Sequence, residues 1–202
     1  VGNKTGALLP TGSVLDIVAG HEVSCVDVAV PMVIADAASF GKTGHEPVAE
    51  LEADPVFMKA LREVWVESGL KMGLRRKDGE LMTRAQIESS ETIPKVCIVS
   101  APRNGGNIAV RYFTPQTGHA SMAVSGGCCL AGACLIPGTT AHRIATGIAF
   151  PSHEFSDIEV SIENPAGRLD ATVVAALEEG QIHIESAAYR RSAQILMRGH
   201  VP

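Results

Sequence analysis

The chain has few aromatic residues and little charge, and its positive charges are not clustered. Aromatic side chains make up 4% of the 202 residues and charged side chains 19%. Seventeen lysines and arginines stand against 22 aspartates and glutamates, which gives a formal net charge of −5. Binding to nucleic acid through phosphate neutralisation is therefore not expected. The 46% of hydrophobic residues excludes a disordered chain.

The cysteines lack the spacing of a disulfide framework or a zinc site. There are five, an odd number, without a Cys-x-x-Cys pair: Cys25, Cys97, Cys128, Cys129 and Cys134. The histidines show no His-x-x-x-His spacing. We therefore expect reduced thiols buried as small hydrophobic side chains, no metal and a cytoplasmic location. No charged segment followed by an apolar run opens the chain, so a signal peptide is not indicated.

Apolar periodicity and turn residues predict several strands and two helices. Helical spacing over 57–65 follows Asp54-Pro55, a typical start with Asp as the N-cap. Residues 75–92 are polar and are interpreted as a loop. Strands are predicted at 95–101, 107–113, 157–162, 168–177 and 181–187, with a further pair within 21–35 broken at Pro31. The mixture of hairpins and helices indicates the α+β class.

One long stretch has no fixed charge. Between Arg111 and Arg143 every residue is uncharged apart from the titratable His119 and His142, and the stretch 119–138 is apolar or small on every face. A helix without a polar face is buried. A membrane span needs about 20 mainly apolar residues, and Pro137-Gly138 ends this run too early. We therefore predict a core helix over about 119–135 and no membrane segment.

The start of this helix is the most chemically suggestive part of the sequence. The first turn of a helix carries unpaired N–H groups and the positive end of the dipole, so it binds carboxylates and phosphates. Gly118 permits close approach of a ligand, and the side chains of His119 and Ser121 are possible donors. Alternatively, Thr117 or Ser121 caps the helix and His119 packs on a neighbour. We expect the helix to begin within two residues of Ala120, facing an open cleft.

Two basic residues on predicted strands are further candidates for binding a carboxylate. Lys95 opens a strand, and the alternative is a solvated lysine at the strand end. Arg111 lies within an apolar strand, where an unpaired charge is costly. It either clamps a carboxylate through a bidentate contact or pairs with a glutamate of the next strand, and we favour the ion pair. The three cysteines of the predicted core helix lie too far along it to act as nucleophiles.

Five motifs and a closing segment, taken in order, resemble one family. The motifs are LLPTG at 8–12, VDVAVPMV at 26–33, IPKVCIV at 93–99, RYFTPQTGHASMAVSGGCCLAGACLIPG at 111–138 and IENPAG at 162–167. Together they resemble the PrpF-type isomerases, which include 2-methylaconitate isomerase and 4-oxalomesaconate tautomerase and belong to the diaminopimelate-epimerase-like superfamily. IENPAG is similar to the family's I-E-H-P-S-G turn, and residues 190–199 are similar to its closing R-T-A-R-x-L-M-x-G. The region 118–121 is more similar to the tautomerase branch.

The resemblance implies two similar domains, each a curved, mostly antiparallel sheet wrapped around a central helix, with the active site between them. A complete member is considerably longer, so the resemblance places this chain in the C-terminal half. Residues 1–20 would then end the first domain and form the linker, residues 21–189 would form the second domain, and residues 190–202 would return to the first. The expected assembly is a homo-oligomer or a pairing with the missing N-terminal half.

The implied activity is a cofactor-independent isomerisation, in which a proton shifts between allylic positions of an unsaturated di- or tricarboxylate such as 4-oxalomesaconate. The family's base and acid, a Lys and a Cys, belong to the first half and match nothing here. No catalytic residue is therefore assigned in this chain, and activity is expected to require that half. Substrate binding is assigned to Lys95, Arg111, Gly118, His119, Ser121 and Met122.

Two other functions are kept as alternatives. A non-catalytic carboxylate-binding or accessory module fits the lack of a catalytic half. A racemase or epimerase would carry a second catalytic Cys just before the central helix, where this chain has Ser121-Met122. In the 26–33 motif, Val30-Pro31 stands where many relatives have Asn-Pro, which puts the substrate loop in question.

Overall fold

The computed structural model describes Gly2 and residues 4–189, and within them the chain forms a nine-stranded sheet and five α-helices. The strands are β1 Asp16–Val18, β2 His21–Asp27, β3 Pro31–Asp36, β4 Lys95–Ser100, β5 Ile108–Thr114, β6 Thr117–Gly118, β7 Ser156–Asn164, β8 Gly167–Glu178 and β9 Gln181–Tyr189. The helices are α1 Val48–Glu52, α2 Pro55–Lys71, α3 Arg84–Glu88, α4 Val124–Leu135 and α5 Thr140–Ile144, with a 3-10 helix at Ala37–Phe40.

The sheet is mostly antiparallel and runs in the order β1-β2-β3-β4-β5-β7-β8-β9, with β6 paired to β5 alone. Only the β3–β4 and β5–β7 pairs among these strands are parallel. The three long strands β7, β8 and β9 form a meander close to the predicted positions. The α+β class and the mostly antiparallel sheet are therefore confirmed.

Helix α4 lies inside the curve of the sheet and contacts strands from both halves of it. It touches β2 and β3 on one side and β7, β8 and β9 on the other. Every residue of α4 from Gly126 onwards is buried, and most of them are Gly, Ala or Cys. Because these side chains are small, the strands can approach the helix backbone closely. The predicted central apolar helix is confirmed.

A second core lies on the outer face of the sheet, where α2 packs against the strands near β1. The Asp54 carboxylate caps α2 by accepting hydrogen bonds from the N–H groups of Val56 and Phe57 at 2.9 and 3.0 Å, and Pro55 is the first helical residue. Leu61 and Trp65 are fully buried beneath the helix. Burial of one such side chain contributes roughly 1.5–3 kcal/mol, so α2 is held by its packed face.

Helix α4 begins at Val124, four residues later than the predicted start near Ala120. The chain first turns back along β5 and pairs with it as β6. The N–H of His119 continues this pairing, since it donates to the carbonyl oxygen of Tyr112 at 2.8 Å. A backbone that bonds to a neighbouring strand is extended, so the helix cannot start until this pairing ends. The predicted start is therefore wrong, while the end of the helix at Leu135 is confirmed.

Two other local predictions are corrected. The stretch 75–92, interpreted as a loop, contains the short helix α3, which Thr83 and Gln86 start with a reciprocal pair of side-chain to backbone hydrogen bonds. The break between β2 and β3 lies at 28–30, and Pro31 is the first residue of β3. A proline tolerates the first position of a strand, because the hydrogen bond that it cannot donate is not required there.

The expected linker at 1–20 lies largely within the described residues, whereas the expected returning segment does not. Part of the expected linker, Asp16–Val18, is strand β1 and pairs with β2. The Asp27 carboxylate also holds the preceding segment, because it accepts from the N–H groups of Lys4 and Thr5, each at 2.9 Å. The expected returning segment, 190–202, lies outside the described residues. No helix in the described part of the chain is long and apolar enough to cross a membrane.

The close packing of α4 generates a prediction at Gly126. A Cβ atom added there would lie 2.7 Å from Cζ and 2.8 Å from the hydroxyl oxygen of Tyr112. In an open helix Gly→Ala stabilises by ~1 kcal/mol, whereas forcing atoms into a packed core costs ~1–3 kcal/mol. We expect Gly126→Ala to lower the free energy of unfolding by ~1–2 kcal/mol in urea titration. Val124→Ala, at an exposed position of the same turn, is the control and should change it by less than ~0.5 kcal/mol. Stabilisation by Gly126→Ala would contradict the described packing.

Candidate functional site

The start of α4 follows the segment 119–123, which continues from β6 back along β5. The end of β2, the beginnings of β3 and β4 and the end of β5 lie at one edge of the sheet, whereas the end of β7 lies beside the beginning of β5. The hydrogen bond from Ser121 to Asn164 joins the segment 119–123 to the end of β7, and Tyr112 of β5 lies against Gly126 in the first turn of α4. We call this region the α4 end, and each candidate residue is located relative to it.

The first turn of α4 has no side-chain cap. Its N-cap is Ala123, which has no side-chain oxygen to accept a hydrogen bond, so the predicted caps Thr117 and Ser121 do not fill this role. The first intrahelical bond runs from the N–H of Gly127 to the carbonyl of Ala123 at 2.9 Å. The N–H groups of the three residues 124–126 make no hydrogen bond to another described residue. Such groups, with the helix dipole, stabilise an anion by ~0.3–1 kcal/mol.

The His119 ring is fixed in position next to the helix start. Its Nδ1 accepts a hydrogen bond from the N–H of Ser121 at 3.0 Å, and the ring lies edge-on to Tyr112 with 5.9 Å between centroids. Because Nδ1 is the acceptor, the proton of the neutral ring lies on Nε2. Nε2 makes no hydrogen bond to another described residue. His119 thus presents a donor of known position on a half-buried ring.

The Ser121 hydroxyl has a different role from the predicted one. Its Oγ lies 3.2 Å from Oδ1 of Asn164, and since Oδ1 carries no hydrogen, the hydroxyl must be the donor. A hydroxyl has a single proton, so Ser121 offers lone pairs rather than a donor to any ligand in this arrangement. The side chain therefore acts as a link between the 119–123 segment and the end of β7.

Asn164 is the residue at this end that the sequence interpretation did not assign. It is 8% exposed, and its Oδ1 accepts a second hydrogen bond from the N–H of Ala166 at 3.0 Å. Its Nδ2 is buried and has no partner among the described residues. The IENPAG motif contains this residue, but an Asn before Pro is first interpreted as a turn former. Burial, which would have revealed it, depends on the fold.

A further unpaired donor is the hydroxyl of Tyr112. The residue is fully buried and its oxygen, which lies against Gly126, has no partner among the described residues. Burial raises the pKa of this hydroxyl well above its usual value, so the hydroxyl keeps its proton. It therefore has a donor that lacks an acceptor. The α4 end therefore gathers unpaired donors from the helix, His119, Asn164 and Tyr112.

Lys95 supplies a cation on the same side of the sheet. It lies two residues before Cys97, which pairs with Tyr112, so its side chain is on the face that α4 covers. No hydrogen bond or ion pair joins its amine to another described residue. Burial lowers the pKa of the amine, as expected for a half-buried lysine without an acidic neighbour. Its position fits the predicted contact with a carboxylate.

Arg111 serves the opposite face of the sheet, and the prediction that it pairs with a glutamate of the next strand is wrong. Its Nε donates to the carbonyl oxygen of Glu46 at 2.6 Å, and Nη2 donates to that of His45 at 2.8 Å. The guanidinium thus anchors the loop before α1. Because strand residues alternate between faces, Arg111 points away from the side that Tyr112 faces.

The remaining two candidates have packing roles. The N–H of Gly118 donates to Oε1 of Glu52 at 2.8 Å, and the missing side chain leaves room for Val48 of α1. Met122 is 4% exposed and packs in the core that surrounds α4. Of the six predicted residues, His119 and Ser121 therefore lie next to the start of α4, and Lys95 lies on the same face of the sheet, beside the end of β5.

The cysteines in the described chain are all free and buried, as predicted. Burial raises the pKa of Cys25 and of Cys129 to about 12, and it raises the pKa of Cys97 and Cys134 as well. A thiol with a raised pKa stays protonated at neutral pH, so these groups do not supply a thiolate base. No three His, Cys, Asp or Glu side chains in the described part are grouped to hold a metal ion.

Comparisons with known proteins give a consistent result. A family model described as PrpF protein matches residues 1–202. The chain is 36% identical over 200 residues to 4-oxalomesaconate tautomerase of Pseudomonas putida, which covers 99% of this chain and 50% of the relative. It is 27% identical over 217 residues to 3-methylitaconate isomerase of Eubacterium barkeri, covering 99% and 53%. The chain thus spans about half the length of the curated relatives it matches.

A solved structure agrees with the fold. The crystal structure of methylitaconate-delta-isomerase matches with a TM-score of 0.76 at 24% identity, over 94% of this chain and 51% of that one. At this identity the likeness shows the fold, and the diaminopimelate-epimerase-like architecture expected from the motifs is confirmed.

The geometry of His119 gives a prediction that separates its two nitrogens. In His119→Asn the amide oxygen can still accept from the N–H of Ser121, but the donor at Nε2 is lost. His119→Gln places an amide donor near the Nε2 position. Because a hydrogen bond to a charged group contributes ~1.5–3 kcal/mol, we expect the Asn variant to bind trans-aconitate ~10-fold or more weakly by calorimetry, and the Gln variant to bind more tightly than the Asn variant. His183→Asn, exposed on β9, is the control, and equal affinities of all variants would remove His119 from the site.

Proposed function

The chain belongs to the PrpF family, and from this premise we propose that it forms the carboxylate-binding half of an isomerase. The reaction is an allylic proton shift in an unsaturated di- or tricarboxylate, with 4-oxalomesaconate as the first candidate substrate. The observation that carries this proposal is the set of unpaired donors at the α4 end, on the same face of the sheet as Lys95. The 36% identity to 4-oxalomesaconate tautomerase over nearly the whole chain supports the choice of substrate.

The charge distribution around the α4 end favours a carboxylate. The stretch between Arg111 and Arg143 contains no acidic residue, so the α4 segment itself carries no negative charge that repels an anion. The nearest acid on β7, Glu163, is bound by three N–H groups of the 103–106 loop at 2.5 to 2.8 Å. Its carboxylate is therefore directed at that loop and balanced there. The carboxylates of Asp27 and Glu52 likewise accept N–H groups, from Lys4 and Thr5 and from Gly118. The donors at the α4 end that remain unpaired are the complement of a carboxylate.

In the proposed reaction a base removes a proton next to an activated carbon, and an acid returns a proton to the far carbon of the allylic system. The intermediate is a dienolate whose charge spreads onto a carboxylate. The N–H groups of 124–126, the Nε2–H of His119 and the Lys95 ammonium would stabilise this charge, because they are fixed before the reaction begins. The base and acid are proposed to come from the half that this chain does not contain, since the described thiols are buried and protonated.

The isomerase, the carboxylate-binding module and the racemase predict different fates for the protons of the substrate. A carboxylate-binding module would bind the substrate without exchanging its protons. A racemase of the two-thiol type needs a cysteine just before α4. This chain has Ser121 and Met122 there, and none of the described cysteines lies within 119–123. Both alternatives are therefore outcomes of the same assay.

The test uses the complete natural protein that contains this chain, incubated in D₂O with oxalomesaconate, with aconitate and with methylitaconate. Proton NMR should show deuterium entering the allylic position together with conversion to the isomer. Binding without any exchange in these substrates would contradict the proposal and favour the binding module. Exchange at a saturated stereocentre without double-bond movement would favour a racemase.

Lys95 gives a second prediction under this proposal. Lys95→Met keeps much of the aliphatic volume and removes the charge, so we expect KM for the tricarboxylate to rise ~10-fold or more. Lys77→Met, at an exposed position of the 75–77 run, removes the same charge away from the site. If steady-state kinetics gave both variants the same KM, the change would reflect the loss of a positive charge in general, and Lys95 would have no specific role in binding.

A further inference from the structure

We infer that Asn164 is a substrate-binding residue, whose side-chain amide donates a hydrogen bond to a carboxylate of the substrate. The inference rests on the proposed function and names the group that takes the donor role predicted for Ser121. It starts from a buried amide nitrogen that has no partner in the described part of the chain. Three steps lead from that nitrogen to a ligand.

The orientation of the Asn164 amide is fixed by its neighbours. The N–H of Ala166 is only a donor, so the atom 3.0 Å from it must be the amide oxygen. The hydroxyl of Ser121 donates to that same oxygen at 3.2 Å. The nitrogen with its two hydrogens therefore occupies the other position, since exchanging oxygen for nitrogen would place two N–H donors against each other at Ala166.

A buried amide nitrogen without an acceptor is unfavourable. An unsatisfied buried donor costs ~1–3 kcal/mol, and most buried polar groups in folded proteins have a partner. The contrast with Asn107 is direct, because that residue donates from Nδ2 to the carbonyl of Thr146 at 2.8 Å and accepts at Oδ1 from the N–H of Ser161 at 2.7 Å. Both the oxygen and the nitrogen of the Asn107 amide are hydrogen-bonded within the protein. In Asn164 only the oxygen is, and the nitrogen has no partner in the described chain.

The unpaired end lies at the α4 end and not elsewhere. Ser121 joins Asn164 to the 119–121 segment, in which His119 and Ser121 are half-buried and Ala120 is exposed. A carboxylate bound at the first turn of α4 therefore lies beside the segment that is hydrogen-bonded to Asn164. It then finds the Asn164 nitrogen, the Nε2–H of His119 and the helix N–H groups as donors to its oxygens.

The substitution Asn164→Asp tests the role, because it changes a donor to an acceptor with little change in shape. The Asp variant still accepts from Ser121 and Ala166, but its second oxygen is a buried charge, so its melting temperature should fall below that of the wild type. Its second oxygen would face the substrate carboxylate as a like charge. We expect KM to rise about 10- to 100-fold at neutral pH with a smaller change in kcat, since hydrogen bonds to charged groups have this magnitude.

A pH profile gives a readout that a purely structural role would not produce. When the introduced carboxyl is protonated it can donate again, so KM of the Asp variant should fall towards the wild-type value as pH decreases. Asn107→Asp is the matched control, which should lower stability and leave KM unchanged. Should the Asp variant fold poorly, Asn164→Ser removes the amide donor and should still raise KM several-fold.

The inference is overturned if Asn164→Asp folds and its KM stays within two-fold of the wild type, or if Asn107→Asp raises KM equally. Failure of the proposed function is a different result, in which the wild type converts none of the substrates. In that case calorimetry with tricarballylate, a saturated tricarboxylate, still tests the residue. Equal affinity of wild type and Asn164→Asp would then reject it.

Discussion

The structure depends on one constraint, which is that helix α4 has no polar face and must be covered on all sides. Its buried part consists largely of Gly, Ala and Cys, so the covering strands come close to the backbone of the helix. Strands β2 and β3 reach it from one half of the sheet and β7, β8 and β9 from the other. The curvature of the sheet and the small residues of the helix therefore both serve to bury α4 on all sides. The rest of the sheet turns its outer face to α2 and a second core.

Enclosing a helix in this way places its first turn against Tyr112 of β5 and next to the segment 119–123. The cap residue is Ala123, which leaves the N–H groups of that turn unpaired in the described chain. The buried hydroxyl of Tyr112 lies against Gly126 of this turn, and Ser121 connects the amide of Asn164 to the segment before it; neither donor has a partner among the described residues. The two buried donors among these, the Tyr112 hydroxyl and the Asn164 amide, destabilise the fold while they are unpaired, since each costs ~1–3 kcal/mol. An anion that binds them would recover this loss, which is why the α4 end is a functional site in our account.

Local sequence signals were sufficient where the local chain determines the structure. Asp54-Pro55 starts α2 as predicted, because the cap and the first helical residue act within one turn. The turn residues between β7, β8 and β9 also gave these strands to within a few residues. The start of α4 was misplaced since it depends on β6 pairing with β5. The partners of Arg111 and of Asn164 lie 65 and 43 residues away in the chain, so only the fold reveals them. Resemblance to the family supplied what the residues alone left open, namely the architecture around the helix.

The central claim is that the first turn of α4 binds a carboxylate of the substrate. The most direct measurement is a crystal structure of the complete natural protein with tricarballylate, which resembles the substrates but has no double bond to isomerise. The account predicts a carboxylate oxygen within hydrogen-bond distance, ~2.7–3.2 Å, of a backbone nitrogen among residues 124–126. It would be contradicted by a ligand bound elsewhere, with these N–H groups paired to other parts of the protein.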